Sequence, residues 1–279
     1  MQTPFIQRVA AAVEQEYPKE RADSSWDNTG ILLEFDNTEE SLLLCIDLTE
    51  EVLSEAVSEG ITTILAYHPP IFSAIKKITR ENVILHGCIN SRISVYSPHT
   101  ALDGGKNGIN YWMGQHITGL THAASSGYVQ IYRNESTIES ILEELAAKLS
   151  LDTIRYSLGT GHSLASIPEV VAIGAGASSR PIKRLVPETR PAQAAVPGEE
   201  ASPLPESSKI QLAITGEASH HDLLYFKKCG VSVLLLEHSR SERGFLQVLH
   251  SHLQAALPGA RVKLSAHDRD PVYFYTKSK

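Results

Sequence analysis

Two stretches of this chain repeat one another in register, and that repeat constrains the fold more than any other feature. Asp47 closes a strand-like run that begins at Ser41, and it is followed by Gly60 after 13 residues and by His68 after 21. Behind a second such run, Gln211 to Thr215, Glu217 is followed by Gly230 after 13 residues and by His238 after 21. Within these frames Leu53 matches Leu223, Ile61 matches Val231 and Leu65 matches Leu235. Each copy reads as strand, acid, helix, glycine, strand and terminal histidine. Thr49 or Asp47 can cap the first helix and Ser219 opens the second, while Gly60 and Gly230 close them. A strand, an amphipathic helix and another strand within about 25 residues form a βαβ unit, which implies parallel pairing with helices on the sheet faces. Two of them in one register point to an internal duplication, although the βαβ unit itself carries much of the pattern.

The expectation is therefore an α/β protein of two similar halves, in three α/β/α layers, placed at 1–125 and 126–279. A pseudo-dyad could then bring His68 and His238 to one cleft. A third strand end belongs with these two. Ile93-Ser94-Val95-Tyr96 has the apolar alternation of a strand, Pro98 stops it, and His99 and Asp103 follow four residues apart. Ligands of α/β proteins bind at such carboxyl ends, because the loops there vary over a rigid sheet. Taken alone, His99 and Asp103 read more readily as solvated loop residues than as a pair sharing a metal.

Other segments carry weaker signals. Phe5, Val9, Val13 and Tyr17 share one helix face, which Pro18 ends. Trp26-Asp27-Asn28-Thr29-Gly30 reads as a turn, or else as residues lining a pocket. Ser239 and Glu242 have capping-box spacing, an alternative to Glu242 facing a cation, and Ser219 and Asp222 have it too, with His220 and His221 between them. Gly174-Ala175-Gly176 reads as a tight turn more readily than as an anion cradle. From Ser178 to Ser208 proline and alanine replace periodic apolar residues, which predicts a surface loop.

Composition excludes several classes. With 42% hydrophobic and 20% charged residues, 279 residues support a sizeable core. A net charge of -7 without a basic stripe argues against direct nucleic-acid or anionic-membrane binding. Cys45, Cys88 and Cys229 have no CxxC spacing, so neither a disulfide framework nor a thiolate zinc site is expected. No apolar run is long enough for a membrane span, and a cytoplasmic location is the expectation. Collected, the strand ends offer His68, His99, Asp103, His238 and Glu242. That mixed nitrogen and oxygen set suits zinc, manganese, iron or nickel rather than calcium, and it is large enough for two ions sharing a carboxylate.

Five ordered motifs carry a family resemblance. They are Trp26 to Gly30, Tyr67-His68-Pro69-Pro70-Ile71-Phe72, Ser97 to Asp103, Gly216 to Asp222, and His238 to Gly244. In that order they resemble the Nif-three-like family, named for NGG-one-interacting factor three, whose bacterial members are often labelled GTP cyclohydrolase I type 2 homologues. The resemblance implies two intertwined α/β halves with a dinuclear metal site between them and a homo-oligomer, commonly a hexamer. It also implies metal ligands at His68, Asp103, His238 and Glu242, with Asp103 or Glu242 as the bridge. Where many bacterial members have paired histidines this chain has Tyr67-His68, the form associated with eukaryotic members, so one metal position is weakened, uses His99 instead or stays empty.

Two functions follow as expectations. The first is a metal-dependent hydrolase-like enzyme with one or two divalent ions per chain, an unidentified small-molecule substrate, His99 moving the proton, and Trp26, Asp27, Asn28 and Tyr67 lining the pocket. The second is a non-catalytic regulatory or scaffold protein that binds a transcription-related or other protein partner. No guanine-reading feature is visible, so the cyclohydrolase label is not adopted as the reaction.

Overall fold

Both copies of the repeat fold as parallel βαβ units, each inside its own sheet. The computed structural model describes residues 3–186 and 209–275. Its elements begin with α1 (Phe5–Glu16), β1 (Gly30–Leu33), β2 (Ser41–Cys45), α2 (Glu50–Ser58), β3 (Thr63–Ala66), α3 (Val83–Asn90), β4 (Ser94–Ser97) and the single turn α4 (Thr100–Asp103). They continue with α5 (Ile109–Gln115), β5 (Leu120–Ser126), β6 (Val129–Asn134), α6 (Ile138–Leu149), β7 (Arg155–Ser157), β8 (Val170–Gly174), α7 (Ser179–Arg184) and β9 (Leu212–Thr215). The last are α8 (His220–Lys228), β10 (Ser232–Leu235), the single turn α9 (Arg240–Arg243), α10 (Leu246–Ala256) and β11 (Arg261–Leu264). No helix among the described residues is long and apolar enough to cross a membrane.

One unit runs to Leu102 and resumes at Arg243. Its sheet has the order β1-β4-β3-β2-β11, with β2, β3, β4 and β11 parallel and β1 antiparallel to β4. Leu43, Cys45, Ile64, Ala66 and Val95 pack with Val52, Leu53, Ala56 and Cys88 of α2 and α3, while α1 and α10 pack against β4 and β2. Helices on both faces explain why β2 is apolar at nearly every position rather than at alternate ones. Full burial of each Leu or Val here contributes about 1.5–3 kcal/mol. Thr49 caps α2 by accepting from the Val52 amide, and Gly60 takes a left-handed φ of 65° just beyond the helix. The parallel register brings the carboxyl ends of four strands to one edge. The start of β1 joins them there, because Gly30 pairs with Ser97.

The other unit runs from Asp103 to Glu242. Its sheet has the order β5-β6-β8-β9-β10-β7, in which β8, β9 and β10 are parallel. Ile182 and Val186, in and after α7, pack with Phe226 of α8 on Val129, Ile131, Val170, Ala172, Val233 and Leu235. Helix α5 packs against β6 and β8. The carboxyl ends of β8, β9 and β10 again share an edge.

Two expectations need correction. The units do not divide at 125/126: α5 and β5 lie in the second sheet's unit, and the C-terminal α10 and β11 return to the first, where Val262 pairs with Leu42. Local patterns reveal a strand but not the sheet it joins. The segment 178–208 does not begin as a loop. Ser179–Arg184 is helix α7, which tolerates Pro181 in its first turn, where no intrahelical amide is required. The remainder of that segment, 187–208, lies outside the described residues.

Candidate metal centre

In the first unit, β2, β3 and β4 deliver Asp47, His68 and His99 to the shared edge. His68 places Nδ1 2.8 Å from Asp47 Oδ1. Tyr67 is buried, and its ring lies 4.8 Å from that of His68 and 5.5 Å from that of His99. It walls the two imidazoles. His99 carries a positive φ of 34°, an uncommon conformation for a residue with a Cβ and one that clusters at functional sites.

Asp27, just ahead of β1, reaches the same place. Its carboxylate is fully buried, with Oδ1 2.6 Å from His99 Nδ1 and Oδ2 accepting from the Thr100 amide at 3.1 Å and from the Thr100 hydroxyl. Burial pushes the Asp27 carboxyl up, but hydrogen bonds from His99 and Thr100 and the nearby imidazole outweigh it, so the group sits below the usual range. Asn28 donates from Nδ2 to the Ile71 carbonyl at 2.5 Å, and Trp26 meets His99 edge-on at 5.6 Å. Asp27 thus both organises the turn and orients an imidazole. Asp103 is buried at the end of α4.

In the second unit, β9 and β10 deliver Glu217 and His238. His238 places Nδ1 3.2 Å from Glu217 Oε1 and Nε2 3.5 Å from Glu242 Oε1, while Glu242 is 2% exposed. Gly176, after β8, makes room for this pair: a Cβ there would lie 2.4 Å from Glu242 Oε1 and 3.2 Å from His238 Nε2. Its amide donates to Ser241 Oγ, which donates to the His238 carbonyl, and this ties α9 to the strand edge. His220 and His221 are exposed at the start of α8, where Ser219 Oγ accepts from the Asp222 amide.

The repeat therefore extends to chemistry. In each unit the acid at the end of one strand meets Nδ1 of the histidine 21 residues later. A carboxylate on Nδ1 fixes ring orientation and leaves Nε2 as the outward nitrogen, the usual support of a metal-binding histidine. The His238–Glu242 separation fits this chemistry as well. Two ligands about 2.0–2.1 Å from one tetrahedral ion lie about 3.3 Å apart. At 3.5 Å the pair is wider than an ordinary hydrogen bond. Cys45 and Cys88 are buried in the first core, and burial raises both thiols, Cys88 to about 11, which suits packing rather than ligation.

Asp47 and Glu217 were marked by the register but not as histidine partners, and the intervals were the available signal. Asp268 and Arg243 were not anticipated. Asp268 Oδ2 accepts from the Ile46 amide at 2.7 Å and from Arg243 Nη1 at 2.6 Å, and Arg243 Nη2 lies 3.8 Å from Asp47 Oδ2.

A model of the family described as Duf34/NIF3 (NGG1p interacting factor 3) matches residues 5–189 and 193–271. "Protein NIF3 homolog" of Schizosaccharomyces pombe is 34% identical, over 95% of this chain and 96% of its own. "NGG1-interacting factor 3" of Saccharomyces cerevisiae is 28% identical, over 96% of each. Among solved structures, a hypothetical protein of Staphylococcus aureus superposes with a TM-score of 0.74 at 19% identity, covering 98% of this chain and 100% of that one. That last likeness bears on fold alone.

Proposed function

Because the chain belongs to the Duf34/NIF3 family, we propose that it is a divalent-metal-dependent, hydrolase-like enzyme acting on a small-molecule substrate. The observation that carries this reading is the carboxylate–histidine pair repeated in both units, Asp47 with His68 and Glu217 with His238. His68, Asp103, His238 and Glu242 would hold one or two ions of zinc, iron, manganese or nickel. When bound, such an ion supplies Lewis acidity and lowers the pKa of water. The chain's own residues do the rest. Asp27 holds His99 Nδ1, so that Nε2 is the atom that takes and returns a proton. Tyr67 and Trp26 wall that imidazole, and Asn28 ties the turn to the Ile71 carbonyl. A homo-oligomer, hexameric by family resemblance, and a cytoplasmic location belong to the same reading.

The test is metal-dependent turnover on a panel of phosphoesters, nucleotides and amides after chelation and metal add-back. Activity restored by metal and lowered about 100-fold or more in His99→Gln supports the reading, as expected for a general acid–base group. Activity indifferent to both refutes it. A second reading, a partner-binding regulatory protein, is favoured by the name of the Saccharomyces cerevisiae relative as an interacting factor. It would lead if no panel member turned over in metal-loaded protein.

A further inference from the structure

The C-terminal strand β11 pairs in parallel with β2, so the loop that follows it arrives at the strand edge that carries Asp47 and His68. That loop is held firmly. Glu55 of α2 accepts from the Ala266 amide at 2.9 Å and from the Ser265 hydroxyl. Ser265 Oγ in turn accepts from the amides of His267 and Asp268, both at 3.1 Å. Asp268 then turns inward. Its side chain is 3% exposed, accepts from the Ile46 amide at 2.7 Å and the Asp47 amide at 3.4 Å, and forms a 2.6 Å ion pair with Arg243. The Arg243 guanidinium thus stands between two carboxylates, close to Asp268 and 3.8 Å from Asp47 Oδ2, while Asp47 Oδ1 meets His68 Nδ1.

Without Asp268, Arg243 would lose its 2.6 Å partner and could close on Asp47 from 3.8 Å. A guanidinium drawn fully onto Asp47 competes directly with the imidazole for its oxygens, because Arg prefers a planar two-oxygen grip. Asp268 therefore keeps Arg243 at arm's length and leaves Asp47 to His68. The second unit's acid–histidine pair is more exposed, Glu217 at 52% and His238 at 39% against 35% for Asp47 and 23% for His68. The first pair is braced through Arg243 by the buried Asp268 carboxylate.

We propose that Asp268 and Arg243 are positioning residues that fix His68, through Asp47, as the Nδ1–H tautomer, in which Nε2 carries the lone pair that a cation requires. The inference rests on the reading of His68 as a metal ligand. The first readout does not depend on metal. In chelated protein, two-bond 15N–1H correlation at a pH where the ring is neutral should show His68 as Nδ1–H in wild type and as a tautomer mixture in Asp268→Asn and in Asp47→Asn. The second readout is zinc and manganese affinity by titration, expected to fall about tenfold in Asp268→Asn, the scale of lost support to a ligating histidine. Glu55→Gln weakens the loop's anchor without touching Arg243, so it separates positioning from general loop stability. His68 unchanged in Asp268→Asn, or disturbed as much by Glu55→Gln, overturns the assignment. If wild type binds neither metal but the tautomer result holds, the metal reading fails and the positioning network stands.

Discussion

Gly176→Ala tests the second unit's half of the site most sharply. Two costs are expected. Gly176 has a φ of +57°, where an L-residue costs about 1–2 kcal/mol, partly offset by about 0.4–1 kcal/mol of lost unfolded-state entropy. The new methyl would also lie 2.4 Å from Glu242 Oε1, well inside the 3.0 Å that real Cβ contacts respect, so the carboxylate must move by more than half an ångström. Glu242 is 2% exposed and has no solvent to swing into, so overpacking adds about 1–3 kcal/mol. Gly127 supplies the control: its φ is +53° and nothing lies within 4 Å of an added Cβ. Gly127→Ala should therefore cost about 1 kcal/mol or less and Gly176→Ala about 2–4 kcal/mol, a gap of roughly 2–5 °C in thermal midpoint. Metal ligation tolerates about 0.2 Å of displacement, so zinc affinity should fall about tenfold or more in Gly176→Ala alone. Thermal denaturation in chelator and a zinc titration read the two effects separately. Equal midpoints and equal affinities for the two alanine variants would refute the claim that Gly176 makes room for the Glu242–His238 pair.

Other predictions bear on the scaffold. Ile182 of α7 is fully buried against the second sheet, so Ile182→Ala should destabilise by about 2–5 kcal/mol in chemical denaturation, whereas a surface loop at 178–186 would make it neutral. The Asp222 carboxyl lies below its ordinary range chiefly through its hydrogen bond to Lys183, and a lowered folded pKa stabilises above the unfolded value and is lost as pH falls. Asp222→Asn should accordingly cost about 1 kcal/mol at neutral pH, and the gap from wild type should close below about pH 4; a gap independent of pH would contradict this.

Much of the architecture was legible because parallel strands covered on both faces read as continuous apolar runs. Ser41 to Cys45, Thr63 to Ala66 and Ser232 to Leu235 are such runs, and the residues that follow them set the strand edges. Strand β5 was harder, since Leu-Thr-His-Ala-Ala-Ser-Ser carries small and polar side chains and alternates between half-buried and exposed. Strand β7 spans three residues, and α7 was masked by the proline content of its surroundings. The histidines and acids at the strand ends were visible as residue types at fixed intervals. Their partners were only partly visible. Asp47 and Glu217 stand inside the repeat, but Asp268 meets Ile46 across 222 residues, a pairing created by β11 alone.

The central claim is that these acid–histidine pairs serve metal binding, and elemental analysis of protein purified without chelator tests it most directly, with His238→Ala purified alongside. The account predicts one or two ions per wild-type chain and a clear fall in the variant without loss of fold. No stoichiometric metal in wild type after addition of zinc, manganese, iron and nickel, or full occupancy in His238→Ala, would contradict it.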